Sequence, residues 1–217
     1  MTDEESQVRS HLVASYKRLI NSGLGTGSSG NLSVRVDGGM LITPTGVVAE
    51  KLLPEQLVHV GLDGHVPEGQ LLPSSEWHMH AGAYLDRPEI NAVVHCHSRH
   101  ATMLACAHKP IPAIHYMIAI TGSDEIPVAP YATFGTDALA TAAVEGLRGR
   151  LATLLANHGQ IAIGEDLDQA MNVAIEVEEL AAIYWGTLAI GGGYTLDSNQ
   201  MDEVLRAFTT YGQQRED

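Results

Sequence analysis

Three histidines and one glutamate have the residue types and positions from which a metal site could be built. His95 and His97 end the apolar segment 92–97 (AVVHCH), which is typical of a buried strand. Side chains two residues apart on a strand leave the same face of the sheet, so both imidazoles could reach one ion. Further candidates are His158, which follows a second apolar segment, and Glu76, near the start of a predicted helix. Three imidazoles and a carboxylate suit Zn²⁺, and the carboxylate could leave the ion to admit a substrate.

A purely hydrogen-bonded role is the alternative for these histidines, because imidazoles at strand ends often serve only to satisfy buried polar groups. His78 and His80 compete as ligands, but a spacing of two on a helix points them to different sides. We therefore predict that both lie behind the site or on the surface. The remaining histidines in polar contexts are predicted to have no special role; they are His11, His59, His65 and His108.

Three short segments rich in glycine and hydroxyl residues could hold a phosphate group. They are 25–31 (GTGSSGN), 42–46 (ITPTG) and 73–76 (PSSE). Each offers backbone N–H groups and hydroxyls, and the last also offers a helix N-terminus, which favours an anion. Each segment alone also fits a plain turn or cap, and the first matches neither of the two common glycine-rich phosphate loops.

The amino-acid composition argues against several kinds of partner and against a secreted or membrane protein. A formal net charge of −14, with only 12 Lys and Arg, would repel nucleic acids and anionic membranes. Two cysteines, Cys96 and Cys106, are too few for a disulfide-stabilised secreted scaffold, which favours reduced thiols and a cytoplasmic location. The first residues resemble an acidic helix rather than a signal peptide, and no segment is long and apolar enough to span a membrane. We predict one domain, 1–217.

Helical and strand patterns alternate along the chain. Strands are predicted in 31–44 (a hairpin), 57–64, 90–96, 125–131 and 152–164 (a second hairpin). Helices are predicted in 1–20, 74–88, 98–108, 137–150, 166–190 and 198–212. The serines of 73–76 are predicted to cap the second helix, and Asp166 or Asp168 the fifth. This alternation predicts an α/β fold in which helices cover a mixed sheet.

Eight short motifs follow one another in an order that resembles a known family. They are GNLSVR, MLITPTG, SSEWHMH, AVVHCHS, IPAIHYMIA, APYATFGT, ANHG and TYG. Over nearly its whole length the chain resembles the class II sugar-phosphate aldolases related to adducin, and among them those that act on L-fuculose 1-phosphate. The resemblance implies a single α/β/α domain with a mostly antiparallel central sheet. It also implies a homotetramer whose active sites lie between neighbouring subunits.

The resemblance further implies reversible cleavage of a ketose 1-phosphate into dihydroxyacetone phosphate and an aldehyde. It implies Zn²⁺ bound by His95, His97 and His158, with Glu76 as a fourth ligand that leaves when substrate enters and then transfers a proton. The few lysines lie outside apolar patterns, which argues against a covalent imine route; they are Lys17, Lys51 and Lys109.

Residues for the two ends of the substrate also follow from the resemblance. Tyr116 matches the family's tyrosine proton donor, Tyr211 the tyrosine of its C-terminal tail, and Phe134 an apolar position on the aldehyde side. Without the resemblance these three residues would be interpreted as core, interface or helix-end residues. The implied phosphate ligands are Gly30, Asn31, Thr45, Gly46, Ser74 and Ser75.

Other functions stay open at this point. Sugar-phosphate 4-epimerases of the same family typically carry Asp at the position of Glu76, which favours an aldolase. A methylthioribulose-1-phosphate dehydratase would use the same metal to eliminate water. A non-enzymatic adducin-like binding domain would lack the ligand set. Aldehyde specificity in the family rests on residues of the loops and the C-terminal tail, so 5-deoxyribulose 1-phosphate and methylthioribulose 1-phosphate are further candidate substrates.

Overall fold

A seven-stranded sheet forms the centre of the structure, a computed structural model that describes residues 2–209. Its strands are β1 Asn31–Val36, β2 Gly39–Ile42, β3 Val58–Val60, β4 Ala92–Cys96, β7 Val128–Ala129, β8 Ala152–Leu155 and β9 Gly159–Gly164. The strand order is β3-β2-β1-β4-β9-β8-β7, and every neighbouring pair is antiparallel except β7 with β8. A separate two-stranded sheet joins β5 Ile111–Pro112 to β6 Glu125–Ile126.

Six α-helices are present in the described part of the chain: α1 Asp3–Asn21, α2 Trp77–Asp86, α3 Arg99–Cys106, α4 Asp137–Gly146, α5 Leu167–Ala189 and α6 Ser198–Phe208. Short 3₁₀ helices cover Ala49–Lys51, Pro54–Gln56 and Tyr116–Thr121. Within residues 2–209, no helix combines the length and the apolarity that a membrane span requires.

Two apolar clusters lie on opposite faces of the sheet. Along β4, Val94 belongs to the cluster that contains buried residues of α1, α3 and α5, whereas Val93 belongs to the cluster with buried residues of α2 and α4. Covering both faces of the sheet explains why β4 is buried at every position and reads as an uninterrupted apolar segment. Each fully buried aliphatic side chain contributes about 1.5–3 kcal/mol to folding. The helices and the mostly antiparallel sheet confirm the predicted α/β fold class.

The predicted serine cap of α2 is wrong. The N-cap position is occupied by Glu76, whose side chain makes no cap hydrogen bond. The hydroxyl of Ser74 instead accepts a hydrogen bond from the Glu76 backbone N–H at 3.3 Å, because both serines precede the first turn of the helix. The carboxylate of Glu76 is therefore available for other contacts. For α5 the cap is Asp166, which accepts from the Gln169 N–H at 2.7 Å.

Gly30 marks the point where the glycine-rich segment enters β1. Its φ is +83°, and a Cβ atom there would lie 2.8 Å from the backbone oxygen of His95. We expect Gly30→Ala to lower the free energy of unfolding by about 1–3 kcal/mol, because it adds backbone strain and a steric clash. Urea unfolding followed by circular dichroism measures this loss. Gly23→Ala is the matched control, since its φ is +77° but nothing lies within 4 Å. Equal losses in the two variants would contradict a role for the clash.

Candidate metal centre

Four side chains converge where β4 ends and β9 begins. His95 pairs with Ile161 in the antiparallel β4–β9 register, which places the residue after β4 beside the turn that precedes β9. The Nε2 atom of His95 lies 3.0 Å from Nε2 of His97 and 3.3 Å from Oε2 of Glu76. The Nε2 atom of His158 lies 3.0 Å from Oε1 of Glu76. One ligand atom from each of the four residues lies within 4.8 Å of the others.

The residues present fit a metal ion. Tetrahedral bonds of about 2.0–2.1 Å would place neighbouring ligand atoms about 3.3 Å apart, close to the three separations of 3.0–3.3 Å given above. Nδ1 of His95 lies 2.8 Å from the backbone oxygen of Gln160 and must donate to it, so Nε2 is the ring nitrogen that can bind an ion. Oε1 of Glu76 is buried and lies 3.0 Å from Nε2 of His158, but it makes no hydrogen bond of good geometry among residues 2–209. A cation bound between Nε2 of His95 and Oε1 of Glu76 would provide a partner for each of these two atoms.

The charges in the cluster favour the forms that bind a cation. Burial alone would raise the pKa of the Glu76 carboxyl, but the adjacent His95 and His158 lower it well below its ordinary value. Burial, reinforced by His95 and His158, lowers the pKa of His97 to about 4. Near neutral pH the glutamate is therefore ionised and His97 is neutral, as metal coordination requires.

The two other histidines of the SSEWHMH motif do not join the cluster. His80 is fully buried, and its Nε2 lies 2.6 Å from Oδ1 of Asn31, whose Nδ2 donates to Oε2 of Glu76 at 2.9 Å. His78 points elsewhere and lies 3.7 Å from the Asp137 carboxylate. His80 thus lies behind the cluster, one residue removed from the carboxylate.

The three segments with predicted phosphate ligands lie side by side. The N–H of Leu32, next to Asn31, donates to the hydroxyl of Thr43 at 3.3 Å. The N–H of Ser74 donates to the backbone oxygen of Thr43 at 3.1 Å. The N–H of Thr45 donates to the Leu72 backbone oxygen at 3.1 Å, so the hydroxyl is the donor that this residue can offer to a phosphate. Gly46 has a φ of +71°, a conformation that favours glycine.

A cavity of about 280 Å³ opens beside the cluster. It is lined by Ser75, Glu76, His97, Tyr131, Ala132, Phe134, Asn157 and His158. Phe134 is 65% exposed, so it is not a core residue, and it does lie beside the candidate site. Sequence reasoning missed Tyr131 and Asn157. Both residues lie in motifs that the sequence shows: Tyr131 in APYATFGT and Asn157 in ANHG. Asn157 adopts a φ of +55° in the turn before β9.

One of the two predicted tyrosines, Tyr116, does not line this cavity. Tyr116 begins a 3₁₀ helix, is 46% exposed, and packs its ring 4.8 Å from the ring of His115. It is not one of the residues that line the cavity. Tyr211 lies outside the described residues.

Two further histidines and both cysteines lie outside the cluster of four side chains. Nδ1 of His100 lies 2.8 Å from Oε1 of Glu178, so the third histidine of the HCHSRH segment is not directed at the cluster. His108, predicted to have no special role, contacts Oδ1 of Asn157 through Nε2 at 2.7 Å. Cys96 and Cys106 are free thiols.

Comparison with known proteins gives consistent matches over most of the chain. Residues 10–185 match the family model described as "Class II Aldolase and Adducin N-terminal domain". The "5-methylthioribulose-1-phosphate/5-deoxyribulose-1-phosphate aldolase" of Rhodospirillum rubrum is 44% identical over 94% of this chain and 92% of its own length. The "L-fuculose phosphate aldolase" of Escherichia coli strain K12 is 45% identical over 96% of this chain and 97% of its own. A solved structure titled "L-fuculose 1-phosphate aldolase" superposes with a TM-score of 0.90, at 38% identity, over 96% of this chain and 98% of that one.

Proposed function

Because the chain belongs to the class II aldolase and adducin family, we propose that it is a metal-dependent aldolase that cleaves a ketose 1-phosphate reversibly into dihydroxyacetone phosphate and an aldehyde. The observation that carries this proposal is the convergence of Glu76 with His95, His97 and His158 on one point. The aldolase names of relatives that span more than nine-tenths of the chain support it. Zn²⁺ is the metal we propose, because three imidazoles and one carboxylate suit it.

The central chemical problem is the electron pair left when the carbon–carbon bond breaks. Zn²⁺, when bound by the three histidines, would act as a Lewis acid that stabilises this negative charge by several kcal/mol. Glu76 transfers the proton at the carbon next to the ketone carbon, adding it during cleavage and removing it during condensation. The buried, ionised carboxylate beside the cavity supports this role for Glu76.

The aldehyde half of the substrate needs a proton at its oxygen and an apolar surface at its far end. We assign the proton transfer to Tyr116 and the apolar surface to Phe134, with Tyr211 as a further contact. Tyr116 is exposed and outside the cavity of its own chain, which supports a site completed by a neighbouring subunit of a homotetramer.

We further propose that residues 1–217 act as one domain and that the enzyme is cytoplasmic.

The phosphate end is assigned to the three glycine- and hydroxyl-rich segments, through Gly30, Asn31, Thr45, Gly46, Ser74 and Ser75. Their adjacency in the fold supports this assignment, as does the position of Ser75 on the cavity wall beside Glu76. Binding energy from a remote phosphate can be used to orient the reacting carbon atoms, which raises turnover as well as affinity.

Condensation with defined aldehydes tests this function. Zinc-loaded protein is mixed with dihydroxyacetone phosphate and, separately, with lactaldehyde, acetaldehyde and methylthioacetaldehyde. We expect at least one of these to yield a new ketose 1-phosphate, identified by mass spectrometry and NMR. The reverse assay separates the family alternatives, since an epimerase would return an isomer of a sugar phosphate and a dehydratase a product lighter by one water. No carbon–carbon bond formation with any aldehyde would refute the aldolase assignment.

A further inference from the structure

Behind Glu76, four buried polar side chains form one continuous series of hydrogen bonds. Nδ2 of Asn31 lies 2.9 Å from Oε2 of Glu76, and Oδ1 of Asn31 lies 2.6 Å from Nε2 of His80. Nδ1 of His80 lies 2.7 Å from the hydroxyl of Ser33, which lies 2.8 Å from the hydroxyl of Tyr84. Ser33 and His80 are 0% exposed, Tyr84 1% and Asn31 5%. We call this series the buried relay.

Two regular spacings build the buried relay. Glu76, His80 and Tyr84 are four residues apart, so they follow one another along one side of α2 and its N-cap. Asn31 and Ser33 are two residues apart on β1, so they share one face of the sheet. This side of α2 faces the side of β1 that carries Asn31 and Ser33. Each hydrogen bond of the buried relay therefore joins a helix-side residue to a strand residue.

The hydrogen bonds of the relay have one consistent direction. A carboxylate only accepts, so the Asn31 atom facing Glu76 is the amide nitrogen, and the carbonyl oxygen faces His80. Burial lowers the pKa of His80 to about 3, so the ring is neutral near pH 7. Because the Asn31 carbonyl oxygen only accepts, the single ring proton lies on Nε2, which donates to it. Nδ1 then accepts from the Ser33 hydroxyl, and Ser33 in turn accepts from Tyr84. The donor and acceptor roles in each hydrogen bond therefore depend on where the proton lies in the neighbouring hydrogen bond.

We propose that His80 is a positioning residue, which fixes the Asn31 amide with its NH₂ group toward Glu76 and so holds the carboxylate in place at the metal centre. The opposite amide orientation would set the Asn31 oxygen against the carboxylate and its NH₂ group against Nε2–H, two repulsive contacts in a buried environment. The catalytic consequence rests on the proposed function of Glu76, whereas the hydrogen-bond directions do not.

NMR of the metal-free protein tests the relay without any assay of activity. In protein labelled with ¹⁵N-histidine, we expect His80 to be neutral at pH 7, with the proton on Nε2 and an unprotonated Nδ1. Ser33→Ala removes the donor to Nδ1, and we expect it to shift His80 toward the Nδ1–H tautomer or a mixture of both. Wild-type His80 found protonated on Nδ1 would overturn the proposal.

Kinetics test the consequence for turnover. We expect His80→Phe to keep its bound zinc, to change KM by less than about threefold, and to lose roughly 10–100-fold in kcat, as is typical when a group behind a metal ligand is removed. His78→Phe is the matched control, because His78 lies on the same helix outside the relay. If His80 acts only through Asn31, its removal has no further effect once Asn31 is replaced. The double variant His80→Phe with Asn31→Ala should then lose no more kcat than Asn31→Ala alone.

Unchanged kcat in folded, zinc-loaded His80→Phe would overturn the positioning role, and so would losses that multiply in the double variant. If His80→Phe does not fold, Ser33→Ala is used for the kinetic test instead, and we expect a smaller loss of kcat. The double variant of Ser33→Ala with Asn31→Ala should again lose no more kcat than Asn31→Ala alone. Failure of the proposed function is distinguishable, because the tautomer of His80 is measured in a protein with no metal and no substrate.

Discussion

Glu76→Gln is expected to retain about one zinc ion per chain while its kcat falls by roughly 10²–10⁴-fold, the usual contribution of a positioned acid or base. The amide has nearly the size and shape of the carboxylate, so the three histidines and the Asn31 contact keep their geometry. What the variant loses is a group that can take up and return a proton. Bound metal is measured by inductively coupled plasma mass spectrometry, and turnover by release of dihydroxyacetone phosphate.

A matched control for this variant is Glu68→Gln, which makes the same chemical change at an exposed position and should leave turnover unchanged. A second readout is the exchange of the proton that Glu76 is proposed to transfer, followed by NMR in deuterated water with dihydroxyacetone phosphate alone. We expect this exchange to slow in parallel with kcat. A Glu76→Gln enzyme with wild-type turnover would remove Glu76 from the mechanism.

His158→Ala is expected to lose bound metal and, with it, activity. The side chain supplies one of three imidazoles, and no other histidine in residues 2–209 joins the group of four ligand residues. We expect zinc affinity to fall by more than the roughly 10–100-fold that is typical of changes behind the ligands, because a direct ligand is removed. Equilibrium dialysis against zinc measures this change.

The control is His11→Ala, which removes a half-exposed histidine that lies near Asp168, far along the chain from the ligands. It should bind zinc as the wild-type protein does. Adding excess zinc should restore part of the activity of His158→Ala if the remaining ligands still hold the ion weakly. Undiminished zinc affinity in His158→Ala would show that the ligand set has been assigned wrongly.

Much of the site could be predicted because its residues follow local rules. The spacing of two between His95 and His97 indicated one face of a strand, and the ANHG turn placed His158 at the end of a hairpin. What the local pattern could not show is that β4 and β9 are neighbours, which sets the distance between these residues. That adjacency depends on long-range strand pairing, and only the family resemblance pointed to it.

The residues that escaped prediction owe their positions to tertiary packing. His80 was placed behind the site or on the surface, and only the packing of α2 against β1 shows which of these holds. Asn157 lies in the cavity wall because its turn adopts a left-handed backbone conformation, which asparagine tolerates but does not require. The two-residue strands β5 and β6 are too short to show any periodicity.

The location of β4 has a consequence for how this aldolase handles its cofactor. β4 is the middle strand of seven, bonded on both sides, and His95 is carried by it. Two apolar clusters already stabilise this strand, so we expect the fold, and not the ion, to hold the His95 side chain in position. Removing the ion should therefore be reversible, and a spectroscopically visible substitute such as Co²⁺ could be exchanged into the folded protein to observe substrate binding directly.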